Sequence, residues 1–166
     1  DEPLWYEGQA LKQIKLQHLL AVKERWWPQV TFYDMEVELM ASAIRDLETY
    51  CVAANKMGKD FTCAFLGLGC FLVCQAMEIQ CRIVTTSVKE KHLDILWGEI
   101  GWFLANSSAP LMMEQGGPLF VTSKEIRRAE EREATKGNVN NYLGGLVAEG
   151  AEGLSGHHAK DGFTML

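Results

Sequence analysis

The chain has 166 residues, of which 48% are apolar and 23% charged, enough for a self-sufficient hydrophobic core and too apolar for disorder throughout. Its 16 basic against 22 acidic side chains, a formal charge of −6, argue against nucleic acid or an anionic membrane surface as a main partner. Five cysteines, none in a Cys-x-x-Cys pair, read as reduced thiols in an intracellular or organellar compartment. The sequon Asn106-Ser107-Ser108 is then idle, and no signal peptide is read at the start.

In chain order, a first helix is expected from about Pro3 to Arg25, carried by Leu4, Leu11, Ile14, Leu19 and Val22 and ended by Trp26-Trp27-Pro28. Asp34 can cap a second helix, whose buried seam is Val37, Met40, Ile44, Leu47 and Cys51. Gly58 is a natural stop for it. The third element dominates the reading. Cys63, Cys70, Cys74 and Cys81 follow at steps of 7, 4 and 7. At about 100° per residue that spacing stacks four small side chains on one stripe. The segment 60–84 therefore reads as a buried central helix against which neighbouring helices pack closely.

Ser87 and Glu90 form a capping box for a fourth helix with an inner face of Leu93, Leu96, Ile100, Phe103 and Leu104. Gly116-Gly117-Pro118 marks a loop. Thr122 and Glu125 suggest a second capping box, opening a charged fifth helix from Ser123 to about Lys136. Beyond it lies a glycine-rich tail with isolated apolar residues, among them Leu143, Leu146, Val147 and Phe163. The expected fold is all-α: a bundle core over 1–110, a loop and charged helix over 111–137, and a tail over 138–166 docked on the body or a partner.

Chemistry-bearing patterns are sparse. Cysteines on one helix face cannot close a tetrahedral metal site. His157-His158 read as solvated, and no nucleophile elbow, Gly-x-Gly-x-x-Gly fingerprint or Walker pattern is present. Gly67-Leu68-Gly69 is explained by helix packing.

The stretch Glu99-Ile100-Gly101-Trp102-Phe103-Leu104-Ala105 resembles the second acidic motif of MazG-like nucleotide pyrophosphohydrolases, with Trp102 where that family carries an Asp. The resemblance implies an all-helical enzyme that hydrolyses nucleoside triphosphates with magnesium held by acidic residues of two helices; here Glu99 is well placed, whereas Glu36 and Glu38 stand two apart instead of the three of that family's first motif and diverge by about 160° on a helix.

Against it stands a non-enzymatic reading. The surplus of tryptophan suggests protein contact. Trp26, Trp27, Trp102, Leu143, Leu146 and Phe163 are the candidate contacts of an assembly subunit that is oligomeric or part of a hetero-complex, with no cofactor and no metal. A third reading takes Phe61 to Val84 as an imperfect span of a membrane-embedded accessory subunit of an organellar complex.

Overall fold

The computed structural model describes residues 14–46, 48–53, 58–135, 138–148 and 162–165. It contains four α-helices, α1 (Leu16–Trp26), α2 (Asp34–Arg45), α3 (Lys59–Ala76) and α4 (Glu90–Ala105). It also contains five strands, β1 (Cys81–Ser87), β2 (Leu119–Thr122), β3 (Glu125–Arg128), β4 (Tyr142–Val147) and β5 (Phe163–Met165). The strands form one mixed sheet in the order β2-β3-β4-β1-β5. β1 runs parallel to both its neighbours, whereas β2, β3 and β4 form an antiparallel run. The expectation of an all-α bundle is therefore overturned. The chain is a mixed α/β fold.

Two physical facts account for the correction. The central helix does not continue to Val84. Glu78 takes a left-handed conformation (φ 57°), and the Ile79 N–H returns to the Cys74 carbonyl at 2.8 Å, closing the helix end. The β-branched run Ile83-Val84-Thr85-Thr86 then enters a strand, where such side chains pack well. Cys81 thus belongs to β1, Cys70 and Cys74 are buried on α3, and Cys63 is exposed.

The charged fifth helix is also absent. Thr122 and Glu125 pair across a two-residue turn at Ser123-Lys124, so the residues read as a capping box are the closing pair of a hairpin. Downstream, the Glu131 carboxylate accepts from the backbone N–H groups of Asn140 and Asn141 and from the Asn141 side-chain amide (2.9 Å), anchoring the loop that leads into β4. The stretch expected as tail supplies β4 and β5, both neighbours of β1. The expected residues Pro3 to Leu11 of the first helix, and Leu47, lie outside the described residues.

The core sits between the sheet and the helices. Ile83 and Leu143 face α3, which rests on them through a glycine: a Cβ at Gly67 would meet Leu143 Cδ1 at 3.6 Å and Ile83 Cγ2 at 3.9 Å. α4 is tied to the same face by Trp97, whose indole N–H donates to Thr85 Oγ1 at 2.9 Å. α1 covers α3 from the other side, with the fully buried Leu19 against Gly69.

These two helix glycines make opposite predictions. Gly67→Ala adds only ordinary contact and removes a helix-interior glycine, so it should stabilise the fold by about 0.5–1 kcal/mol. Gly69→Ala would bring a Cβ to 2.8 Å from Leu19 Cδ2, inside a closed core, and should cost about 1–3 kcal/mol. Urea unfolding of the two variants checks the pair, and equal midpoints would refute the packing described.

Candidate functional site

The six residues expected at a partner surface divide sharply. Trp27, Leu143 and Phe163 are 0% exposed and spend their side chains inside the chain's own core. Trp26 and Leu146 are half-buried. Trp102 is 40% exposed, with its ring 5.4 Å from that of Phe61. The structure does not gather these six into one patch.

The buried thiols Cys70 and Cys81 offer no reactive centre. Burial pushes the Cys70 thiol well above its ordinary range, and burial together with the neighbouring Cys74 does the same to Cys81. Both stay protonated near neutrality, and thiolate is the form that attacks or ligates. Among the described residues no group of three or more His, Cys, Asp or Glu side chains is placed to hold a metal ion. The acidic residues of the pyrophosphohydrolase resemblance do not converge either, and the helical fold that it implies is overturned by the sheet. Glu36 is engaged elsewhere.

That engagement is at the first turn of α3. Gly58 is its N-cap, in the left-handed region at φ 76°, ψ 8°, and Lys59 and Asp60 are the first two helical residues. The Thr62 N–H closes the turn on the Gly58 carbonyl at 2.9 Å. The N–H groups of Lys59, Asp60 and Phe61 therefore have no acceptor within the helix and emerge at its positive end.

Glu36 of α2 reaches over this turn. Its Oε1 accepts from the hydroxyl of the fully buried Thr62 at 3.0 Å, and its Oε2 accepts from the Tyr33 N–H at 2.7 Å. A side chain at position 58 would meet Oε1 at 2.9 Å, so this place demands glycine on two counts: backbone angle and room. The turn is held from below by aromatic contacts. Phe61 lies 4.5 Å from Phe103 and 5.9 Å from Phe32 between ring centres, and Phe65 lies 4.9 Å from Phe32.

A turn of this kind is a ready anion site. Orphan N–H groups, the helix dipole and a lysine at the first helical position all favour negative charge. The signal that could have found it is short. Ala53, Gly58 and Lys59 keep the spacing of the phosphate-loop pattern Gly-x4-Gly-Lys-Ser/Thr, with Ala for the first glycine and Asp60 for the hydroxyl residue. Read strictly, the pattern is absent. Gly58 also has the conformation that ends helices, which is why it reads as a stop for the element before it rather than the start of the one after.

The chain matches no known protein-family model, no curated protein and no solved structure.

The same helix bears on the membrane reading. By length and composition α3 alone, among the described residues, could cross a bilayer, with mean hydropathy 1.3 over 18 residues. In this fold two thirds of that window is buried against the sheet, α1, α2 and α4.

Proposed function

We propose that the chain is a nucleoside-triphosphate-binding module of the phosphate-loop kind, with Gly58, Lys59 and Asp60 as its phosphate contacts. The observation that carries the reading is a left-handed glycine directly followed by lysine at the half-buried N-terminus of an otherwise buried helix that rests on a parallel strand pair. Backbone N–H groups of the first turn would bind phosphate oxygens, and the Lys59 ammonium would neutralise them as a point charge. Asp60 offers a carboxylate where the pattern has a hydroxyl. A magnesium ion arriving with the phosphates can use that oxygen and take its other ligands from phosphate and water.

Two features depart from the pattern. Residues 48–53, which lead toward the turn, belong to no strand of the described sheet. The same turn carries two carboxylates, Asp60 on α3 and Glu36 bonded to Thr62, against one lysine, Lys59.

Calorimetric titration with Mg-ATP tests the reading. Lys59→Ala should weaken binding about 30- to 100-fold, the equivalent of one charge-assisted contact worth about 2–3 kcal/mol. An unchanged affinity in this variant would remove the site from consideration.

A second reading, an assembly subunit that works through protein contacts, is favoured by one group of residues. Val52 is 100% and Tyr50 85% exposed on the segment before the turn, and Tyr33 and Met35 stand exposed at the start of α2. Large apolar side chains left in solvent on these two segments are the kind of surface that a partner covers when they form a contiguous patch. Size-exclusion chromatography with native mass measurement distinguishes the two: a monomer at micromolar concentration that binds Mg-ATP supports the first reading alone.

A further inference from the structure

We propose that Cys51 and Cys63 form a reversible disulfide that fastens the segment before α3 to the side of that helix. These two thiols are exposed, whereas Cys70, Cys74 and Cys81 are buried. Two separate bonds to α2 bring them to one region. Thr49 Oγ1, two residues before Cys51, lies 2.9 Å from Ser42 Oγ. The Thr62 hydroxyl, one residue before Cys63, donates to Glu36 Oε1 at 3.0 Å. Glu36 and Ser42 stand six residues apart on α2, about 9 Å along its axis, so each thiol is tethered close to the other. Their electrostatics agree. Partial burial pushes the Cys63 thiol up and Cys51 pushes it the same way, as a like charge does only at short range; Asp60 adds to the rise and Lys59 opposes it.

A disulfide needs Cα atoms about 4.4–6.8 Å apart. Any adjustment falls on residues 48–53, which belong to no helix or strand, while α3 stays fixed. The oxidant is a low-molecular-weight disulfide such as oxidised glutathione. The Cys51 thiolate attacks one of its sulfurs and releases one glutathione thiolate. Cys63, after losing its proton, attacks the Cys51 sulfur of the mixed disulfide and releases the second. Two protein thiols are oxidised, one glutathione disulfide is reduced, and the two protons pass to the departing thiolates. Tyr50 and Val52, 85% and 100% exposed, flank Cys51, so the bond sets whether these apolar side chains swing free or are held against the body.

The experiment treats the folded wild-type chain, Cys51→Ser and Cys63→Ser with oxidised glutathione in mildly alkaline buffer, then maps unreduced peptides by mass. The wild type should yield a Cys51–Cys63 cross-link within one chain, with no lasting glutathione adduct, and dithiothreitol should reverse it. In each serine variant the remaining cysteine should keep its glutathione. Chymotryptic cleavage after Tyr50 should be about tenfold slower in the oxidised wild type than in the reduced, because the closed loop restricts local opening. Neither serine variant should show that slowing. Thermal melts of the three reduced chains should coincide, since both thiols are at the surface. Glutathione retained on both cysteines of the wild type, or a cross-link that joins two chains, would overturn the pairing. A cross-link that leaves cleavage after Tyr50 unchanged would overturn the fastening.

Discussion

Trp27→Ala should cost about 4–6 kcal/mol of stability. The indole is 0% exposed and packs edge-on against Phe65 (5.9 Å) and Phe103 (5.2 Å), so truncation opens a large cavity, worth about 3–5 kcal/mol by itself. Its N–H also donates to the Phe103 carbonyl at 2.7 Å, and that buried acceptor would lose its partner at a further cost of about 1 kcal/mol or more. Against a typical total of about 5–15 kcal/mol, the variant should be partly unfolded at 37 °C. Trp27→Phe should retain most of the packing and lose the hydrogen bond, recovering more than half of the loss. Denaturant midpoints decide it. A loss under about 1.5 kcal/mol for the alanine variant would mean that Trp27 is not a core residue.

The second large effect concerns residues 138–166. A chain ending at Gly137 should not fold cooperatively. β1 would lose β4 on one side and β5 on the other, leaving it unpaired along both edges. The truncation also removes Leu143 and Phe163, each fully buried and each worth about 1.5–3 kcal/mol of apolar burial. It deletes the Asn141 side chain that accepts from the Cys81 N–H at 3.0 Å, and the Val139 carbonyl that accepts from Arg82 at 3.0 Å. Far-UV circular dichroism should retain helical signal while near-UV signal and a sharp melt disappear. A cooperative melt in the truncated chain would show that the helices form a core without the sheet.

The helices were legible in the residues but their ends were not, since α2 stops at Arg45 and leaves Cys51 of its expected seam exposed outside it, and the sheet was not legible. α1, α2 and α4 each carry apolar residues at steps of three and four, and Leu19 and Val22, Met40 and Ile44, and Leu93, Trp97 and Ile100 are buried as that period predicts. α3 is apolar all round, so periodicity alone could not say where it stops, and the cysteine steps continued by coincidence across a helix end into β1.

β4 was hidden by Gly144 and Gly145, which look like flexibility in a sequence. In the fold, both are demanded by packing. The Tyr142 ring lies 3.2 Å from where a Cβ of residue 144 would stand, and the Trp97 indole nitrogen 2.5 Å from one at 145. The β2–β3 hairpin was masked by its charges, since Glu125, Arg127 and Arg128 fit a solvated helix as well as a strand. Arg127 and Arg128 in fact spend their guanidinium groups on the Ala134 and Ile79 carbonyls. The candidate site was missed for a narrower reason: a glycine in left-handed conformation can close one helix or open the next, and the sequence does not say which.

The parallel pairing of β1 has a consequence for how the molecule is made. Its partners come from roughly sixty and eighty residues later in the chain, so the middle of the protein waits for its far end. Until β4 has emerged during synthesis, α3 lacks Leu143 over its sheet-facing side, and β1 lacks the parallel neighbour that positions Ile83 beneath it. That interval is the molecule's period of greatest exposure to aggregation and chaperone capture, and slowing translation just beyond α3 should lengthen it.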